Sequence, residues 1–206
     1  MTTADETAKA YQAIGEYFCA FSEVEHELGQ AVKVVLGLQK NEAIDAIVGS
    51  LDFAKKAGFV LAVIDDAKKA DGSEASKEWK EQAAAAVKEA FDCNTLDRLP
   101  LAHSLLQPNK DGSVDLKRLT VDHGKVKGRE GKSWTHEDFT KKILRSRGVA
   151  EKLRSLTKEL REIKIEIPRG NLSWLLTTNP MLFYQRRMSP ALMQSLSEPP
   201  AQPKKA

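Results

Sequence analysis

Apolar residues recur every three or four positions along most of the first 165 residues, a period that predicts helices. The first helix runs from about Asp5 to Leu38, with Tyr11, Ile14, Phe18, Phe21, Leu28, Val32 and Val35 on one stripe. Glu25 interrupts that stripe between Phe21 and Leu28. A carboxylate on an apolar seam needs a partner or contact with water. Either the stripe drifts until Glu25 lies at its edge, or the acid is buried and orients a base elsewhere. Position alone favours the edge.

Asn41 reads as the N-cap of a short helix ending near Gly49. Asp52 opens a third helix through Ala70, with Phe53, Val60 and Ile64 inward. "DGSEAS" from Asp71 to Ser76 marks a turn and a helix start. The fourth helix starts at Ser73 or Ser76 and continues to about Leu106, carrying Trp79, Ala83, Ala86, Val87, Ala90 and Phe91 on its stripe.

From Pro108 the period shortens. Turn clusters at Asn109–Gly112, Asp122–Gly124 and Gly128–Gly131 bracket alternating stretches such as "SVDLKRLTV", which predict a small β-hairpin. Thr135 and Asp138 have the spacing of a capping box. They open a last long helix to about Ile165, with Phe139, Ile143, Val149, Leu153, Leu156 and Leu160 on its stripe. The expected fold is therefore all-α: an up-and-down bundle of four to five helices over residues 5–165, with a hairpin inserted before the last helix.

A tail follows from Glu166 to Ala206. It holds six of the eight prolines, and its last ten or so residues have the composition of a disordered segment. Its apolar pieces, "NLSWLL" and "PMLFY", are too few for a second core and are expected to dock on the bundle or on a partner.

Composition narrows the function classes. Charged residues make up 30% of the 206 and the formal net charge is +3, which permits a polyanionic partner without demanding one. Cys19 and Cys93 stand far apart inside predicted helices, and so read as reduced, buried thiols. The first residues, "MTTADETAKAYQ", are polar and acidic, unlike a signal peptide. No apolar run approaches the roughly 18 residues that span a bilayer. The expectation is a cytoplasmic protein with no membrane contact. No phosphate-binding loop, dinucleotide fingerprint, zinc spacing or nucleophile elbow is present, so no cofactor and no metal are expected.

One pattern carries chemistry: an arginine and a histidine spaced for metal-free RNA cleavage. Histidine as a residue type exchanges protons near neutral pH, and arginine stabilises phosphate charge through its planar fork. The spacing alone is weak, because Arg98/His103, Arg118/His123 and Arg129/His136 all approximate it. Context separates them. The second pair lies in the expected hairpin, where residues five apart face opposite ways. The third spans a turn and a helix cap. Arg98 and His103 sit on a long amphipathic helix.

A straight helix would separate those two side chains by about 140°. Pro100 lies between them and cannot donate to the Leu96 carbonyl, so the helix is expected to kink or widen there and turn both toward one groove. Asn94, one turn upstream, is placed to bond Arg98 or a phosphate. The plainer reading of "DRLPLAH" is a kinked helix end, with Asp97 and Arg98 solvated and His103 adding charge at a helix C-terminus.

The order of these segments is similar to the HEPN superfamily. A long first helix carries "FSEVEHELGQAV". "FDCNTLDRLPLAHSLL" follows, then a glycine-punctuated hairpin, then "SWTHEDFTKKI". The resemblance covers roughly Tyr11 to Ile165. It implies a dimeric helical bundle, and in active members a metal-independent ribonuclease of toxin–antitoxin, phage-defence or RNA-processing systems. Arg98 and His103 then form the catalytic pair, shared across a homodimer interface. Glu25 and Asn94 are the supporting residues. RNA, or a protein partner such as an antitoxin, is the implied ligand. Leu99 departs from the pattern, since active members often carry a polar residue after the arginine. A non-catalytic interaction or RNA-binding protein is the rival reading. A third feature is the basic run Lys117, Arg118, Lys125, Lys127, Arg129 and Lys132, either a nucleic-acid-binding arm or a solvated hairpin. His26, His123 and His136 read as ordinary histidines.

Overall fold

The computed structural model describes residues 3–38, 42–69, 71–122, 125–129 and 131–163. Asn41, Ala70, His123, Gly124 and the tail lie outside the described residues. The described chain is mostly helical, with a small antiparallel sheet before the last helix.

Helix α1 spans Thr3–Val35, α2 Glu42–Ser50, α3 Phe53–Asp65 and α4 Lys77–Asp92. A widened π turn, Cys93–Arg98, continues α4 into the single turn α5, Leu99–Ala102. Helix α6 spans His136–Glu162. Caps set three of the starts. Asp52 accepts the Lys55 N–H at 2.7 Å, and Ser76 accepts the Trp79 N–H at 3.3 Å. Thr135 and Asp138 close the expected capping box, with bonds of 2.9 and 3.2 Å in the two directions.

Cross-helix contacts give the topology. Lys33 meets Asp45, and Val48 lies under Gly29, so α2 runs back along α1. Phe21 meets Phe53 and Glu25 meets Lys56, so α3 runs forward again. Lys80 reaches the Asp65 carbonyl, so α4 runs back. Trp79 bonds Glu159, Lys152 bonds Glu89, and Asp97 meets Lys142, so α6 is antiparallel to α4. It is thereby parallel to α1, which it meets where Arg154 bonds Glu27. The bundle is up-and-down, and the sheet turns the chain round for its last ascent.

The core stripes hold for α3, α4 and α6: Phe53, Val60, Ile64, Val87, Phe139, Ile143, Leu153 and Leu160 are all buried. On α1 the expected Ile14, Phe21, Leu28, Val32 and Val35 are buried as well, but the buried face is wider than that stripe. Tyr17, Val24 and Ala31 are buried, whereas Tyr11 is 58% exposed. Cys93 is buried but Cys19 is exposed, against the expectation for both thiols.

Two helices stop earlier than their patterns suggest. Helix α3 ends at Asp65, where the Ala67 N–H turns back to the Ile64 carbonyl. The fourth helical run ends at Ala102, not Leu106. Leu105–Pro108 forms strand β1, whose backbone groups find partners on β2 (Val114–Asp122). The turn between them is the expected Asn109–Gly112 cluster, with Gly112 at φ +79°.

Strand β3 (Lys125–Arg129) pairs with β2 as the expected hairpin, and β4 (Ser133–Trp134) continues along the same edge of β2. Between the pairs Arg118–Arg129 and Asp115–Ser133, β2 advances by three residues while the opposing chain advances by four. This is a β-bulge. It swings Trp134 into the core, where its ring lies 6.1 Å from Tyr17 and 5.4 Å from Phe139.

Candidate functional site

The π turn forms where proline forbids a regular turn. Pro100 has no N–H for the Leu96 carbonyl, and its ring crowds that oxygen. The chain accommodates this upstream: the Leu99 N–H donates to the Asn94 carbonyl, five residues back. Regular spacing returns when the His103 N–H donates to Leu99 at 3.0 Å. The widening expected at Pro100 is therefore present, but it lies upstream of the proline and ends at Arg98. Between Arg98 and His103 the backbone is one ordinary helical turn. Five such steps leave the two side chains about 140° apart, so the widened turn does not bring them onto one face of a single chain.

Their environments differ. Arg98 is half-buried at the end of the π turn, and His103 is exposed at the C-cap of α5. Asn94 is buried one turn before Arg98. Glu25 stands apart: its carboxylate is bonded to Lys56 at 3.1 Å and remains partly exposed, as the edge reading required.

Asp97 is the residue that the sequence reading misplaced. A helix end would leave it solvated; instead it is 3% exposed. One carboxylate oxygen touches the Lys142 ammonium, and the other lies 3.4 Å from Arg145 Nη1. Lys142 in turn sits 4.4 Å from the centre of the Trp134 ring, a cation–π contact that ties the sheet to this junction. Tyr17, from α1, completes the group. Its ring is wholly buried and its hydroxyl has no hydrogen-bond partner among the described residues, as is also true of the Ser146 hydroxyl one turn beyond Lys142. Burial pushes the Tyr17 phenol well above its usual range, with further upward pressure from Asp97 and opposing pulls from Arg98 and Arg145. Burial likewise pushes the Cys93 thiol up to about 11.

Tyr17, Asp97, Lys142, Arg145 and Ser146 were not singled out from sequence, yet one signal marked three of them. Tyr17 lies between Ile14 and Phe21, Asp97 between Cys93 and Leu101, and Ser146 between Ile143 and Val149 or Ala150, each at helical spacing on a buried stripe. A polar group on such a stripe is either engaged or awaiting a partner.

The basic hairpin is described only in part. Lys117 is exposed and its ammonium donates to Gln107 at 2.5 Å; Lys132 is exposed. Arg118 pairs in register with Arg129, Thr120 with Lys127 and Asp122 with Lys125, so four basic positions share one parity of the ladder. His26 and His136 are exposed, and His123 is not described. Among the described residues, no group of three His, Cys, Asp or Glu side chains is placed to hold a metal ion, and no helix is long and apolar enough to cross a membrane. A cleft of about 540 Å³ lies at the opposite end of the bundle, lined by Lys33–Leu38, Leu160, Arg161 and Ile163; it contains none of the candidate site residues.

Comparison with protein-family models, curated proteins and solved structures finds no match to this chain.

Proposed function

We propose that the protein is a HEPN-like, metal-independent endoribonuclease acting as a homodimer, with Arg98 and His103 as its catalytic pair. The observation that carries this reading is the π turn. It buries Asp97 against α6 while leaving Arg98 and His103 at the surface, an arrangement that a frayed helix end does not need. The roughly 140° between the two side chains supports a composite site, in which one copy's arginine and the other's histidine meet on one phosphate.

In the reaction, a histidine takes the proton of a ribose 2′-hydroxyl, and the resulting oxygen attacks the adjacent phosphorus. Arg98 stabilises the added negative charge. The 5′-oxygen leaves with a proton, giving a 2′,3′-cyclic phosphate and a 5′-hydroxyl end. Asn94 supports Arg98 from the preceding turn. Glu25 takes no part in this scheme, because Lys56 engages it. The basic positions of the β2–β3 hairpin, with Lys117 and Lys132, serve as the arm that holds the rest of the RNA.

The test is cleavage of a broad RNA panel in EDTA. Wild type is expected to yield cyclic-phosphate ends, and Arg98→Ala and His103→Ala to lose at least 100-fold in rate. A His103→Ala variant as active as wild type refutes the mechanism. A wild type that binds RNA but cuts none supports the rival reading, a non-catalytic interaction protein, with Leu99 the departure that marks it.

A further inference from the structure

Asp97 draws in more positive charge than one carboxylate requires. Lys142 is committed on two sides, to the carboxylate and to the Trp134 ring. Arg145 is not. It reaches Asp97 through a single terminal nitrogen at 3.4 Å, near the limit of a hydrogen bond, and its side chain keeps 35% of its exposure while that of Asp97 keeps 4%. A guanidinium has five N–H donors in a rigid fork, and this contact uses one. Arg145 therefore makes one long contact to a buried acid and, among the described residues, leaves its other donors uncommitted.

Its neighbours fit an anion. Asp97 and Arg98 are consecutive in the π turn and Arg145 touches the Asp97 carboxylate, so the two arginines belong to one junction between the π turn and α6, where both also pull on the Tyr17 hydroxyl. That hydroxyl keeps its proton and has no partner among the described residues. Of the acids whose charge reaches Cys93, Glu89 is held by Lys152 at 2.6 Å. At this junction Asp92 and Asp97 are outnumbered by Arg98, Lys142 and Arg145, a positive balance.

We infer that Arg145 is a second phosphate-binding residue of this site, its fork taking oxygens of the phosphodiester that Arg98 contacts while Asp97 holds it from behind. This rests on the reading of Arg98 as phosphate-binding; it adds a residue outside the Arg-x-x-x-x-His pattern, from a different helix. The fork matters as well as the charge, because two oxygens of one phosphate match two parallel N–H groups and an ammonium cannot reproduce that.

The test uses the full chain and a 2′-O-methyl RNA oligonucleotide, which carries the phosphates but no nucleophile. Affinity is measured across a range of salt concentrations for wild type, Arg145→Gln, Arg145→Lys and Lys142→Met. Arg145→Gln is expected to weaken binding about tenfold and to flatten the log–log salt slope by ~0.7, the share of one phosphate contact on a single strand. Arg145→Lys is expected to keep the slope and lose affinity by a few-fold. Lys142→Met is expected to keep the slope.

Wild-type affinity and slope in Arg145→Gln overturn the inference. So does a loss of thermal stability in that variant with the slope unchanged, since that is the mark of a structural role, and so does a wild type that does not bind the oligonucleotide. The two proposals fail separately. A protein that binds through Arg145 but cuts no RNA refutes the nuclease and leaves this inference. One that cuts RNA equally well with Arg145→Gln refutes this inference and leaves the nuclease.

Discussion

Glu25 shows how one residue's role turns on its partner. On sequence it was a possible orienting acid; in the fold it neutralises Lys56, whose side chain is only 4% exposed. Removing the carboxylate leaves an ammonium buried without a counter-charge, which is the costly half of such a pair. Glu25→Gln is expected to destabilise the protein by about 3 kcal/mol in urea unfolding. Lys56→Met removes the buried charge, leaves Glu25 to water, and is expected to change stability by less than about 1 kcal/mol. A Glu25→Gln variant as stable as wild type but without nuclease activity returns the residue to catalysis. Asp97 carries the same kind of signal, a polar position on a buried stripe, but the proline three residues on points instead to a solvated helix end.

Among the elements, the π turn and the bulge perform related tasks: each inserts an irregularity that aims a side chain. Pro100 made the first legible, because a missing N–H must be absorbed somewhere; that the strain moved upstream to Cys93–Arg98 depended on what packs there. The bulge left a glycine in the sequence and nothing more. A Cβ at Gly131 would lie 1.1 Å from the Leu116 carbonyl oxygen and 2.2 Å from its carbon, so the backbones touch and only glycine fits. Gly131→Ala is expected to break the 3.0 Å bond from the Leu116 N–H to the Lys132 carbonyl and to cost about 2–3 kcal/mol. Hydrogen exchange checks it: the Leu116 amide should lose protection while the central amides of α1 and α6 retain theirs. Strand β1 was hidden for a different reason. "LLQP" has no alternation of its own, and it becomes a strand because β2 offers partners.

For the whole molecule, the alternation of helix directions puts the sheet, the π turn and the first halves of α1 and α6 at one end. The inserted strands thereby become part of the site's foundation, since Trp134 carries Lys142 and Lys142 carries Asp97. The composite site proposed here makes a prediction at this scale. Arg98→Ala and His103→Ala chains, each inactive alone, are expected to regain about a quarter of wild-type activity when unfolded together and refolded in equal amounts. Half of the dimers formed are then mixed, and each mixed dimer has one intact site of two. Activity no higher than that of either variant rules out a site shared between copies.

The sequence by itself determined the helical class, the start of α3, α4 and α6, the β2–β3 hairpin and the weakness in the helix at Pro100. Each of these follows from local physics: apolar period, capping side chains, turn residues and a missing donor. The tertiary structure decided where α3 and the fourth run stop, that the buried face of α1 takes in Tyr17 and leaves out Tyr11, that Glu25 belongs to Lys56, and that Asp97 is a buried anchor for Lys142 and Arg145. Those depend on partners between 31 and 48 residues away in the cases of Lys56 and Arg145, and no local pattern names a partner across such a gap. A buried charge is tolerated only where another element brings its counter-charge, and that is settled by packing.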